Sequence, residues 1–229
     1  MTKTGINSQL HKQKLINILL DLAKEIGFKI AFKGGTCAYL FYDLPRLSLD
    51  LDFDVLDDLS GDDIEKIKYL LSRHGVIKEF RQKYHTVFFL LDYLKNAPNI
   101  KVEFNKRVWK NNHYKTVWLL GVEITIADEQ SIFTNKLVAL TDRRQAVARD
   151  LFDVYYFLIA GLPLNEKLIK ERTGKSAKEY LASLPAFIRK HYSEKNVLAG
   201  LGQVLDEKQK SWAKKELAKE TIKKLKKLS

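Results

Sequence analysis

Leu49-Asp50-Leu51-Asp52-Phe53-Asp54-Val55 alternates apolar and acidic residues with a period of two, the pattern of a strand with one buried face and one face of carboxylates. Acids two residues apart on such a strand carry their Cβ atoms on the same side, roughly 6–7 Å apart, and repel unless a cation lies among them. Taken alone, the triplet reads most simply as a solvated strand face. A second stretch stands just upstream. Phe28-Lys29-Ile30-Ala31-Phe32 is β-prone, stops at Gly34-Gly35-Thr36 and leads into the apolar segment Cys37 to Tyr42, which Pro45 ends. This spacing predicts strand, tight turn and short helix, and such a turn aims backbone N–H groups at a helix amino terminus, where a phosphate can be held. Joined to Asp50 and Asp52, it supplies both halves of a nucleoside triphosphate site: donors for phosphate and carboxylates for Mg²⁺.

Further out, Leu15, Leu19, Leu22 and Ile26 mark an amphipathic first helix between Asn7 and Gly27,. A helix is predicted at Asp62 to Arg73, then strands at Val76 to Tyr84, Thr86 to Tyr93, Asn99 to Lys106 and Trp118 to Ile126. Beyond Ala127 the β signals cease. Helical periodicity covers Asp128 to Thr141, Ala146 to Ile159, Asn165 to Arg172, Lys178 to Arg189 and Glu207 to Leu228. The expected architecture is therefore α/β (α+β), with a mixed or antiparallel-rich sheet domain at 1–127 and a helical, basic domain at 128–229.

The chain of 229 residues carries 40 Lys and Arg against 28 Asp and Glu, a formal charge of +12. Seven of those acids fall between Asp50 and Asp63, so an otherwise basic chain concentrates negative charge at one place. From Ala186 to Ser229 there are 12 basic and 5 acidic residues, and so positive a segment attracts polyanions, nucleic acid first. Cys37, the single cysteine, has no disulfide partner, which argues for a reducing cytoplasm and against an oxidised secreted scaffold,. No apolar run approaches the roughly 20 residues that span a bilayer, so no membrane partner is expected. His11, His74, His85, His113 and His191 lack ligand spacing, and no Ser/His/Asp arrangement supports acyl transfer. Tyr84, Tyr93, Trp109, Tyr114 and Trp118 stand among basic residues and suit either RNA stacking or, more commonly, half-buried strands.

Lys33-Gly34-Gly35-Thr36 followed by Arg46-Leu47-Ser48-Leu49-Asp50-Leu51-Asp52-Phe53 resembles the AbiEii/AbiGii (MenT-like) toxin nucleotidyltransferases of the polymerase-β-like superfamily. A second signature, Lys136-Leu137-Val138-Ala139-Leu140, Arg143-Arg144 and Arg149-Asp150-Leu151-Phe152-Asp153-Val154-Tyr155, follows in the order the family shows. The resemblance implies that Asp50 and Asp52 hold two Mg²⁺ ions, with Glu103 on a neighbouring strand as third ligand or base. It also implies that Lys136 contacts the triphosphate, and Asp150 is assigned to the site, orienting Lys136 or a metal-bound water. Lys33, Gly34, Gly35, Thr36, Arg46 and Ser48 are the remaining nucleotide-binding candidates, with Arg46 neutralising the acids or binding phosphate. Asp54 is expected at the edge of the metal face, Asp153 in a structural role paired with Arg149 at i, i+4, and Arg143 and Arg144 on phosphate or in an exposed turn. Ser48, two residues before Asp50, would face the metal side and is a candidate for inhibitory phosphorylation.

The implied activity is transfer of a nucleoside monophosphate from an NTP, with pyrophosphate released, to an RNA acceptor at the 3′ end of tRNA. That chemistry would arrest translation and require a cognate antitoxin. A protein or small-molecule hydroxyl as acceptor, and a non-catalytic nucleic-acid-binding module, stand as alternatives at this stage.

Overall fold

The computed structural model describes residues 8–143, 145–201 and 205–228. In chain order the elements are α1 (Ser8–Glu25), β1 (Ile30–Lys33), α2 (Gly34–Phe41), β2 (Leu51–Val55), α3 (Gly61–Ser72), β3 (Val76–Gln82), β4 (Thr86–Asp92), β5 (Ile100–Asn105), β6 (Tyr114–Leu119) and β7 (Val122–Ala127). They continue as α4 (Glu129–Asp142), α5 (Ala148–Ile159), α6 (Glu166–Thr173), α7 (Ala177–His191) and α8 (Glu207–Leu225). The chain divides into two compact units. One takes the chain up to Asp43, then Leu47–Val108 and Tyr114–Ala127; the other takes Leu44–Arg46, Trp109–His113 and the chain from Asp128.

The first unit is built on one mixed sheet of seven strands in the order β3-β4-β5-β2-β1-β7-β6. β2 pairs antiparallel with β1 and parallel with β5, and β1 pairs parallel with β7. The short central strands are fixed by what they bury. Phe32, Phe53 and Phe104 line up across β1, β2 and β5 with no exposed surface, ring centroids 5.3 Å and 5.1 Å apart, and Phe89 of β4 meets Phe104 edge-on at 6.3 Å. Leu15, Ile18, Leu19 and Leu22, the apolar stripe of α1, are buried as well. Each large apolar side chain so buried contributes roughly 1.5–3 kcal/mol, so this row of rings fixes the register of the sheet centre. Since side chains alternate along a strand, fixing the phenylalanines on one face fixes the acids on the other.

Two sequence expectations change. β2 begins at Leu51, so Ser48, Leu49 and Asp50 precede the strand and period-two reasoning does not apply to them. The predicted strand Trp118 to Ile126 is in fact a hairpin of β6 and β7 that turns at Leu120-Gly121, where φ is +49° and +77°. Positive φ at both turn residues is the geometry that matches strand twist in a two-residue hairpin, and a leucine at the first position hides it from the sequence.

The second unit is helical. α5 packs against α4 and α8, and Phe133 of α4 meets Phe157 of α5 at 5.8 Å. α8 is Lys-rich yet buries Ala213, Leu217, Thr221 and Leu225 at helical spacing, with Trp212 against Tyr155 at 4.8 Å,. Its lysines therefore occupy the outward face of a packed helix. Among the described residues, no helix is long and apolar enough to cross a membrane.

Candidate active site

In the first unit, β1 runs directly into α2, which starts at Gly34. Gly34 has φ of +79°, and a Cβ at this position would overlap Asp52 Oδ2 while lying 3.0 Å from Asp52 Cβ and Cγ. Only glycine lets the backbone at the helix start approach the Asp52 carboxylate this closely. Asp52 stands opposite Lys33 on β1 and opposite Glu103 on β5. Cα partners of neighbouring strands project to the same face, so the sheet brings Asp52 and Glu103 side by side from distant parts of the chain. Both are partly exposed, on the face opposite the phenylalanine row.

Asp50 is held through its backbone. The Thr36 hydroxyl, buried on α2, donates to the Asp50 carbonyl, and the buried ring of His11 on α1 donates from Nε2 to the Leu49 carbonyl at 3.3 Å. Because a carbonyl can only accept, Nε2 carries the hydrogen, and Nδ1 accepts from the Tyr93 hydroxyl at 2.8 Å,. Burial holds His11 toward its neutral form, outweighing the opposing pull of the Leu49 carbonyl and Asp50,. Sequence reasoning set His11 aside as a lone histidine; its signal lies only in tertiary contacts.

Asp54, expected at an edge, is 1% exposed. It binds Lys33 Nζ at 2.5 Å and accepts from the Tyr114 hydroxyl at 2.9 Å, tying β1 and β6 to β2. The Lys33 ammonium is thereby engaged by a carboxylate of its own sheet. Ser48, also expected to face the acids, is buried ahead of the strand. The lone thiol, Cys37, is buried on α2, and desolvation pushes its pKa up, which leaves it unreactive,.

The second signature forms a separate cluster within the second unit. Asp153 is fully buried, gripped bidentately by Arg46 (Nε 2.5 Å, Nη2 2.6 Å) and by Lys136 Nζ at 2.8 Å. Burial pushes its pKa up, but Lys136 and Arg46 more than offset this and hold it below the ordinary aspartate range. Arg149, the partner expected at i, i+4, forms no such pair among the described residues; Arg46 takes the site because its planar fork matches a carboxylate and it is brought in buried,. Asp150 Oδ1 lies 3.4 Å from Lys136 Nζ. Arg143 Nε stands 2.6 Å from Asp150 Oδ2, yet off the N–H direction, so that buried oxygen keeps an ionic contact without a hydrogen bond. Arg144 lies outside the described residues. Three cations face two carboxylates here, so the cluster retains net positive charge.

Of the aromatic candidates, Tyr93 and Tyr114 spend their hydroxyls on His11 and Asp54, and Trp109 lies under the Arg172 guanidinium. Tyr84 and Trp118 remain 86% and 69% exposed.

Among the described residues no group of three or more His, Cys, Asp or Glu is gathered as a preformed metal cage. Mg²⁺ seldom needs one, since it binds through one or two carboxylates, water and substrate phosphates. The all-oxygen pair Asp52 and Glu103, beside a glycine-opened helix start, fits that mode.

Comparison with solved structures agrees with this architecture. JHP933 from Helicobacter pylori superposes with a TM-score of 0.59 at 21% identity, covering 99% of this chain and 96% of that one. An H. pylori protein described as a candidate nucleotidyltransferase gives 0.59 at 21% identity, covering 100% and 99%. At such identity the likeness speaks for the fold. A comparison with curated proteins gives no match. The family model "Nucleotidyl transferase AbiEii toxin, Type IV TA system" matches residues 18–225, and the chain belongs to the AbiEii nucleotidyltransferase toxins.

Proposed function

We propose that this nucleotidyltransferase moves a nucleoside monophosphate from an NTP to the 3′ end of an RNA, tRNA in particular, and so blocks translation in the cytoplasm until a cognate antitoxin neutralises it. The observation that carries the reading is the pairing of Asp52 with Glu103 on a partly exposed sheet face, against a helix start opened by Gly34. Two carboxylates side by side on one sheet face repel, and a cation that arrives with the substrate relieves that repulsion.

Asp50, Asp52 and Glu103 would hold Mg²⁺. When bound, two such ions would neutralise the triphosphate and stabilise both the attacking and the leaving oxygen of an in-line displacement. Glu103 accepts the proton of the acceptor hydroxyl. The N–H groups of Gly35 and Thr36 at the start of α2 offer donors to phosphate oxygens, while Thr36 and His11 keep Asp50 in place through its backbone. Lys136, held by Asp150 and Asp153 within the second unit, carries a positive charge suited to phosphate oxygens,. The formal charge of +12 favours a polyanionic acceptor over a protein or small-molecule hydroxyl,.

Purified protein incubated with Mg²⁺, total tRNA and each α-labelled NTP in turn, beside Asp50→Ala/Asp52→Ala, tests the reading. Label is expected in tRNA only with both carboxylates intact. Label on protein alone, or on nothing, would overturn the acceptor assignment.

A further inference from the structure

The row that carries the acids does not end at Glu103. Cα register continues from Asp52 on β2 to Glu103 on β5, from Glu103 to Phe88 on β4 and from Phe88 to Arg81 on β3. All four therefore project to one face of the sheet. With strands about 4.8 Å apart, Phe88 lies about 10 Å from Asp52. Phe88 is partly exposed on that face, whereas its neighbours Val87 and Phe89 are fully buried on the other. The Arg81 guanidinium lies 5.8 Å from the Phe88 ring centroid.

Following the strands from this row leads to a basic, aromatic hairpin tip. Arg81, Gln82, Lys83, Tyr84 and His85 are all exposed, and Tyr84 and His85 meet edge to face at 4.6 Å. The end of β5 lies alongside: the Lys106 amide donates to the His85 carbonyl at 2.8 Å, and Lys106 and Arg107 are exposed. No carboxylate occurs from Phe80 to Leu91, nor from Phe104 to Val108. An exposed tyrosine beside the exposed cations Lys83 and Lys106, with Arg81 paired to Glu79 on its own strand and a ring on the catalytic face continuous with them, matches a single-stranded nucleic acid, whose bases stack and whose backbone seeks positive charge,.

Resting on the nucleotidyl-transfer reading above, we infer that the β3–β4 hairpin, with Phe88, is the track for the single-stranded end of the RNA acceptor. The terminal hydroxyl stands at Glu103, the preceding base lies on Phe88 and Arg81, and upstream nucleotides follow Lys83, Tyr84 and Lys106. A terminal single strand is required because a base held in a duplex cannot lie flat on Phe88. None of these side chains belongs to the metal site, so binding and chemistry are separable.

Fluorescence anisotropy with a labelled single-stranded oligoribonucleotide of about ten nucleotides, within usual site sizes, tests the track on the full chain. Tyr84→Ala is expected to weaken binding about tenfold. Lys83→Ala/Lys106→Ala should lower the slope of log affinity against log salt by about 0.7 for each cation removed. In the labelling reaction both variants should raise KM for the acceptor while leaving kcat and KM for the NTP near wild type. Wild-type affinity and salt slope in both variants would overturn the track, even if tRNA labelling by the parent upholds the reaction. Loss of oligonucleotide binding in the variants, with a parent that labels no RNA, would instead uphold the track and overturn the RNA-transfer reading. A blunt duplex bound as tightly as the single strand would also refute the track.

Discussion

This chain gathers acids twice, and handles them in opposite ways. Asp150 and Asp153 are buried and answered by three cations, one of them a bidentate arginine. Asp52 and Glu103 are partly exposed neighbours on a sheet, with the one nearby lysine of β1, Lys33, drawn to Asp54. A carboxylate matched with cations inside its own unit has its work done on folding. One set beside another carboxylate on a partly exposed face repels it, and a cation between the two relieves that repulsion. On the proposed reading, the contrast separates the acids that hold the protein together from the acids that act.

If that division is right, Asp50→Ala/Asp52→Ala should cost roughly a thousandfold in nucleotidyl transfer, the several kcal/mol that metal-held charge stabilisation contributes. Its melting temperature should stay near the parent's, because partly exposed side chains contribute little to stability. Both would be read from labelled-NTP turnover and thermal unfolding, and a large drop in melting temperature would erase the distinction.

Asp153→Asn should show the reverse, losing about 3–5 kcal/mol of stability by leaving Arg46 and Lys136 short of their buried counter-charge. Denaturant unfolding measures it. The same pairing sets an acid limit. Because the folded pKa of Asp153 is depressed, its contribution is complete above the unfolded value of about 3.9 and is lost as pH falls below that, through the folded value,. Unfolding free energy measured from pH 6 downward should therefore fall more steeply in the parent than in Asp153→Asn below that point.

Gly34→Ala places a side chain where Asp52 lies, at a φ that costs an ordinary residue roughly 1–2 kcal/mol,. Activity should suffer beyond what this strain explains, since Asp52 must move; turnover compared at matched stability tests it. The smallest effect belongs to Thr36→Val. Loss of the hydroxyl's bond to the Asp50 carbonyl should cost about 1 kcal/mol, appearing in kcat more than in KM for the NTP,.

What the sequence made legible follows from locality. The strand-turn-helix at Gly34-Gly35 and the alternation from Leu51 to Val55 depend on neighbours within a few residues, and both are present. So is every predicted helix, because each carries its own apolar stripe. The hairpin at Leu120-Gly121 escaped because its turn chemistry sits in a conformation rather than a composition. Arg46 on Asp153 and His11 on Leu49 escaped for another reason: their partners are 107 and 38 positions away, and nothing local marks them.

The parallel pairing of β2 with β5 also bears on the order in which the protein comes into being. The β3–β4 and β6–β7 hairpins close over short turns, whereas Asp52 meets Glu103 only after a loop of some fifty residues has closed, a step that must be paid in entropy before its contacts return anything,. A chain still emerging from the ribosome can thus form its local pieces without owning a paired acidic site. On the proposed reading, capacity to react is tied to completion of the sheet's centre, and a chain that has not yet yielded Glu103 lacks the acidic pair.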